Sequence, residues 1–514
     1  MLNRLALLLL ITAFGMVALA PRAAAVSCES LASMALTKGR ITSASLVAAG
    51  SFAPPGRMGL FMAGAGAPSP FKRMPAFCRV AATLTPTSDS DIKIEVWMPA
   101  GHWNGKLVGV GNGVWAGTID YFSMAKPIIG GYAVVATDTG HTGNGMSAEW
   151  AAGHKQKLID FGYRAVHLMT VQAKRILSAY YGRKQQTSLW VSCSTGGRQG
   201  LMEAYRYPHD YNGISAMAPA NPMVKLMIGS LWTGYVALQD PAHHLTRGDM
   251  IAVHKAFLGQ CGAQQGLKDG VITNPQACHF DPEALLCKDQ SQDVCLTPTQ
   301  VATLRDIYAG PKDPRTGALI YPGFEPGSEL QLIALVSGPE PFPVATSYFA
   351  DLVFHNPKWD FKSFNYHTDL AASYKTGSAI LDVPPDGLST FFAGGGKLLL
   401  SHGWSDGLIP SLSTVDFYKS MIATLSAQQA KDSARLFMIP GMGHCGGGDA
   451  PTVTDMLSVI NDWVETGKAP NTIVAVNSPR QRPASQLVCP YPKYARYKGS
   501  GNPQDAANFA CAAP

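Results

Sequence analysis

Three residues spread along the chain have the types and settings that nucleophilic attack on an acyl group requires: Ser194, Asp406 and His444. Ser194 lies in Ser192-Cys193-Ser194-Thr195-Gly196-Gly197-Arg198, after the apolar run Leu189-Trp190-Val191 and before a stretch of helical pattern. A serine at so sharp a strand-to-helix turn is exposed, and the small residues after it let two chain segments pass closely. A serine hydroxyl is a poor nucleophile until a base takes its proton, and a neutral imidazole is poised to do so. His444, in the glycine-rich run Pro440-Gly441-Met442-Gly443-His444-Cys445, is the candidate base. Asp406 would accept its other ring N–H and fix the tautomer. The plainer reading of Asp406 is a turn residue ahead of Gly407.

An attacked carbonyl also needs amides aimed at its oxygen. The N–H of Thr195 is one candidate, and Gly113 or its neighbour Val114, in Gly111-Asn112-Gly113-Val114, supplies the other. A simple tight turn is the alternative for that glycine-rich loop. Asp138-Thr139-Gly140-His141 precedes Ser194, so it does not suit the order Ser, Asp, His and is assigned a structural role beside the site. Cys193 precedes the nucleophile and Cys445 follows the base. A disulfide between them would hold both loops in register, although connectivity does not follow from sequence alone.

These loops need a rigid frame, and the pattern supplies one. Leu107–Val110, Tyr132–Ala136, Leu189–Val191, Ile214–Met217, Lys397–Leu400 and Arg435–Ile439 read as buried strands, with a helix from Arg164 to Tyr181 ended by Gly182. Strands alternating with helices from about Ala81 to Ala220 indicate an α/β protein with a parallel sheet and chemistry at the strands' carboxyl ends. The rhythm is lost over 221–393, a stretch rich in Pro, Gly and aromatic residues. We therefore expect an α/β-hydrolase core formed by 26–220 and 394–514, interrupted by a lid domain at 221–393. Trp232, Tyr348, Phe349 and Phe354 are candidates for an apolar lid pocket.

Residues 1–25 have a charged start, an apolar middle and the small-residue run Ala23-Ala24-Ala25, as a cleaved signal peptide does. The apolar stretch is short for a membrane anchor. Ten cysteines remain beyond it, an even number in a chain directed to an oxidising compartment, periplasmic or extracellular. No Cys-x-x-Cys pair suggests thiolate-bound metal. The formal charge of +6, two of it from Arg4 and Arg22 in the leader, is too small and dispersed to imply nucleic acid. Oligomeric state leaves no trace in the sequence.

Taken together, Asp138-Thr139-Gly140-His141-Thr142-Gly143, Cys193-Ser194-Thr195-Gly196-Gly197-Arg198-Gln199-Gly200, His402-Gly403-Trp404-Ser405-Asp406, Pro440–Cys445 and Cys489-Pro490-Tyr491-Pro492 resemble the tannase and feruloyl esterase family, including its mono(hydroxyethyl) terephthalate hydrolase-like bacterial members. The resemblance implies a Ser-Asp-His esterase acting on small esters of aromatic acids through an acyl-enzyme, with no required cofactor. It implies the pairing Cys193 with Cys445, and also Cys28 with Cys78, Cys261 with Cys278, Cys287 with Cys295, and Cys489 with Cys511. Two departures stand out. Ser192 occupies a position where the family usually has Gly. The family's calcium loop matches Cys261–Val271, but Gly262 and Gln265 stand where acidic ligands are normal, leaving Asp269 with the carbonyls of Leu267 and Val271; weak or no calcium binding is expected. A broad-specificity esterase or acyltransferase and a non-catalytic glycan-binding module are the alternatives, and the intact triad speaks against the second.

Overall fold

The structure, a computed structural model, describes residues 26–55, 69–264, 271–288, 294–478 and 481–514. The leader 1–25 and three of the calcium-loop positions, Gln265, Leu267 and Asp269, lie outside the described residues.

Ten strands form one sheet: β1 (Ala35–Leu36), β2 (Gly39–Val47), β3 (Phe77–Leu84), β4 (Ile92–Pro99), β5 (Lys106–Gly109), β6 (Ala133–Thr137), β7 (Thr187–Cys193), β8 (Gly213–Met217), β9 (Lys397–Gly403) and β10 (Ala434–Ile439). Their spatial order is β1-β2-β3-β4-β6-β5-β7-β8-β9-β10. From β6 to β10 every neighbouring pair is parallel. The strands before β5 pair antiparallel, and β4 also runs antiparallel to β6. The expected alternation of strand and helix therefore does not extend back to Ala81, which lies inside the antiparallel strand β3 paired with Glu95 of β4.

The parallel strands read as unbroken apolar runs because both faces are covered. Successive side chains go to opposite sides. Leu398 and Leu400 join one core with Trp190, Leu436 and Val135, whereas Leu399 joins the other with Leu189, Phe437 and Val134. Helix Ala165–Tyr181 packs on the first of these cores through Val166, Met169, Ala173 and Leu177 and ends at Gly182, whose left-handed φ of 65° suits glycine. A short helix, Lys155–Ile159, and a π-turn, Asp160–Arg164, run straight into it, so the helical segment begins about two turns before the sequence pattern suggests.

β8 and β9 are neighbours in register, Gly213 opposite Lys397, yet the long segment between them adds no strand to the sheet among the described residues. This excursion is helical and leaves and re-enters the sheet at adjacent strands. It has cores of its own, one around Val224, Leu231, Tyr348 and Phe349 and another around Phe257, Leu304, Leu332 and Val336. The architecture is that of an α/β-hydrolase. Five disulfides join Cys28–Cys78, Cys193–Cys445, Cys261–Cys278, Cys287–Cys295 and Cys489–Cys511. No helix among the described residues is long and apolar enough to cross a membrane.

Candidate active site

β7 ends at Cys193 and a helix, Thr195–Arg206, begins two residues later, leaving Ser194 alone at the turn. Its φ of 62° and ψ of −127° are unfavourable for a residue with a side chain, a strain of roughly 1–3 kcal/mol that only surrounding structure can hold. That hold is visible. The Ser194 amide donates to Met217 O of β8 at 2.9 Å, and its carbonyl accepts from Arg198 and Ala220 amides. A Cβ on Gly197 would come within 2.7 Å of Met217 O, and one on Gly196 would collide with Ser192 Oγ. The elbow therefore has room for glycine only at both positions.

Ser192 is more than tolerated. Its hydroxyl fills the space beside Gly196 and accepts the Gly111 amide at 3.2 Å. One residue on, the Asn112 amide donates to Gln199 Oε1 at 3.1 Å, and Gln199 Nε2 returns a bond to Asn112 Oδ1 at 3.0 Å. Thr195 Oγ1 donates to Val114 O at 2.9 Å. Three side chains of the elbow thus pin the loop 111–114 against the Ser194 turn. A Cβ on Gly113 would meet nothing within 4 Å. Among the described residues neither the Gly113 nor the Val114 amide donates to a protein acceptor, and the Thr195 amide is free as a first-turn helix N–H. These amides are available to a bound oxygen.

β9 delivers Asp406, which is 1 % exposed. Its Oδ1 accepts the Leu408 and Ile409 amides, each at 2.9 Å, so the turn role expected of an Asp before Gly is also filled. Its Oδ2 accepts from His444 Nδ1 at 2.8 Å and from His402 Nε2 at 2.9 Å. Burial pushes the Asp406 carboxyl up, but the charge of His444 and the hydrogen bonds from His402 and His444 outweigh it, holding the group below the usual carboxylate range. An ionised carboxylate only accepts, so both imidazoles donate to it, which leaves His444 Nε2 as the basic nitrogen. His402 in turn accepts from Thr414 Oγ1 at 2.7 Å, which locks its own tautomer.

The Cys193–Cys445 bridge, with a Cα–Cα distance of 6.0 Å, joins the residue before Ser194 to the residue after His444. The helical excursion holds the other side of the His444 loop. Gln331 Oε1 accepts the His444 amide at 2.6 Å and the Gly407 amide at 3.3 Å, bridging the Asp406 and His444 loops. His254 stands between Glu329, 2.9 Å from Nδ1, and Asp449, 2.8 Å from Nε2. Burial lowers the His254 pKa, but the two carboxylates more than reverse this and push it up to about 9. A charged imidazole therefore fastens the excursion to the segment just after the His444 loop.

Sequence reasoning passed over Gln331, His254, Asp449 and the tie made by Ser192. Only His402 carried a local signal, four residues before Asp406 in the same motif. Asp138 and His141 lie beside the loop 111–117. Asp138 Oδ1 accepts the Lys93 and Gly140 amides, and His141 Nε2 is 2.8 Å from Trp115 O with its ring stacked on Trp150. The pocket candidates need correction. Tyr348 and Phe349 have no exposed surface; Tyr348 donates to Ser373 O at 2.7 Å and stacks on Trp115, and Phe349 packs on Trp359 and Phe364. They are core residues. Trp232 and Phe354 remain partly exposed. In the calcium loop, Cys261 and Cys278 are joined and Val271 is described, while Leu267 and Asp269 are not.

The chain matches the profile of the tannase and feruloyl esterase family over residues 78–512. It is 35 % identical to an uncharacterized esterase of Xanthomonas campestris pv. campestris, over 95 % of this chain and 91 % of that protein. Among solved structures it resembles an esterase from Aspergillus oryzae, with a TM-score of 0.87 at 29 % identity, 94 % of this chain and 99 % of that one being covered. Feruloyl esterase B from Aspergillus oryzae superposes with a TM-score of 0.83 at 31 % identity and the same coverage of both chains. A match across most of the chain, with relatives above 30 % identity along nearly their whole length, makes this chain a member of the tannase and feruloyl esterase family.

Proposed function

We propose that this family esterase works by a serine mechanism, with Ser194 as nucleophile, His444 as general base and acid, and Asp406 as the group that orients and charges the imidazole. The observation that carries the reading is the bond from His444 Nδ1 to the buried, ionised Asp406, in a loop tied by a disulfide to the strained Ser194 turn. Ser194 Oγ attacks the ester carbon as His444 Nε2 takes its proton. The carbonyl oxygen gains charge and is met by the Thr195 amide and by that of Gly113 or Val114. Collapse of the tetrahedral adduct breaks the bond to the alcohol oxygen, which leaves with the proton from His444. Water, deprotonated by the same nitrogen, then attacks the acyl-serine and releases the acid. Each step uses groups of the chain and water, so no cofactor or metal is called for.

For substrate we propose small esters of aromatic acids of the feruloyl, galloyl or terephthaloyl type, in line with feruloyl esterase B among its relatives. The five disulfides fit an oxidising compartment, and we place the protein in the periplasm or outside the cell. A panel of methyl ferulate, methyl gallate, a terephthalate monoester and short alkyl esters tests the substrate assignment. The expected result is higher kcat/KM on at least one aromatic acyl ester than on acetate or butyrate. Equal efficiency on short alkyl esters would favour a general esterase.

A further inference from the structure

Helix Thr195–Arg206 starts at Ser194, and its other end holds a buried carboxyl group, Glu203. Glu203 is 1 % exposed, and among the described residues neither carboxyl oxygen has a hydrogen-bond donor. Enclosing an unpaired carboxylate is costly, so its surroundings are expected to supply compensation. Ligand atoms of Glu203, His167 and Asp210 all lie within 4.8 Å of one another. They come from three separate segments: His167 from helix Ala165–Tyr181, Glu203 from the nucleophile helix, and Asp210 from the turn before β8.

Each partner is held in place. The His167 ring stacks on Tyr207 at a centroid distance of 3.7 Å, with Nδ1 2.7 Å from Asp210 Oδ2. The Asp210 amide donates to Tyr207 O at 2.9 Å. Lys174 Nζ lies nearer the Asp210 carbonyl, at 2.5 Å, than its Oδ1, at 3.5 Å. Its charge is therefore spent mainly on the main chain, and Glu203 remains without a donor. The His167 side chain is 28 % exposed, giving an ion a way in.

We propose that His167, Glu203 and Asp210 form a binding site for one divalent cation of the zinc class. An imidazole with two carboxylates is a donor set that zinc accepts, with water completing a tetrahedron. Two carboxylates balance the ion's charge, whereas calcium would seek six or more oxygens. Binding displaces the proton on His167 Nδ1 and lets the ion take the place of the His167–Asp210 hydrogen bond. At about 1.5 Å rise per residue the ion sits some 13 Å along the helix from Ser194, so it clamps the helix and takes no part in the ester chemistry. The competing arrangement is a single proton shared by Glu203 and Asp210.

Equilibrium dialysis of the chelator-stripped, tag-free chain against zinc chloride separates the two. We expect one zinc per chain, bound at least about tenfold more weakly by Glu203→Gln and by His167→Gln. We also expect Tm to rise by about 2–3 °C at zinc a hundredfold above Kd in the parent, and by about half of that or less in the variants at the same concentration. Ester hydrolysis should be the same with and without the ion. Should Glu203→Gln fail to fold, His167→Gln, altered at a partly exposed ring, gives the same reading. No zinc bound by the parent chain, or equal binding by parent and variants, would overturn the site in favour of the shared proton.

Discussion

Ser194 is held by the sheet and the elbow, whereas His444 is held by a disulfide on one side and by the helical excursion on the other. The contacts around Ser194 come from β8, from its own helix and from the neighbouring loop 111–114. Those around His444 come from Asp406, from Cys193, from Gln331 and, through Asp449, from His254. The elbow is thus a local device, built from residues close in sequence or on adjacent strands. The base is a long-range one, since Gln331 is 113 residues before the amide it accepts. The excursion thus helps set the position of His444, so changes in it should affect rate.

That contrast predicts a ladder of effects. Ser194→Ala should remove nearly all ester hydrolysis, at least about a thousandfold in kcat, with the fold unchanged, because it deletes the one reacting oxygen; steady-state kinetics beside a melting curve checks it. Replacing Cys193 and Cys445 together by Ser should lower kcat on the order of a hundredfold, since a shift of about 1 Å between nucleophile and base is enough for that. The same change at Cys489 and Cys511, which join neither the Ser194 turn nor the His444 loop, should alter Tm with far less effect on kcat. Near-normal turnover without the Cys193–Cys445 bridge would mean that Asp406 and the excursion position His444 without it.

Gln331→Ala removes the acceptor shared by His444 and Gly407, while Gln331→Glu keeps an oxygen there. We expect the first to lower kcat by about tenfold with little change in KM, the pattern of a lost positioning contact, and the second to restore part of the loss. A rise in KM alone would place Gln331 in substrate binding instead. The smallest effect concerns His254. Its folded pKa is raised from 6.5 to about 9, so the stability it lends is complete below about pH 6.5 and fades as pH rises through about 9. Melting curves from pH 7 to pH 10 should show Tm falling in the parent chain. His254→Gln should start lower and lack that part of the slope.

Sequence and structure agree where burial or close packing leaves a local mark. β7, β9 and β10 are covered on both faces, so Leu189–Val191, Leu398–Leu400 and Leu436–Ile439 read as continuous apolar runs. The elbow shows itself through Gly196 and Gly197, which neighbouring atoms force to be glycine. Strand β2, by contrast, is half-exposed and alternates weakly, which hides the antiparallel edge of the sheet. Gln331 and His254 are single polar residues on helices, and nothing in their neighbourhoods says that one will meet a catalytic amide and the other a pair of carboxylates. Tyr348 and Phe349 show the same limit from the apolar side. Aromatic composition does not separate a pocket wall from a packed interior; the hydrogen bond of Tyr348 to Ser373 and its stacking on Trp115 decide that.

Ser194 carrying the acyl group is the central step of the mechanism, and the most direct measurement is to catch the group there. Rapid acid quench of the enzyme during turnover of a feruloyl ester, followed by proteolysis and peptide mass spectrometry, reads the modified residue without assuming a mechanism. We predict a feruloyl adduct on the Ser194 peptide, formed in the parent chain and absent from Ser194→Ala. An adduct on a different residue, or hydrolysis that continues undiminished in folded Ser194→Ala, would contradict it.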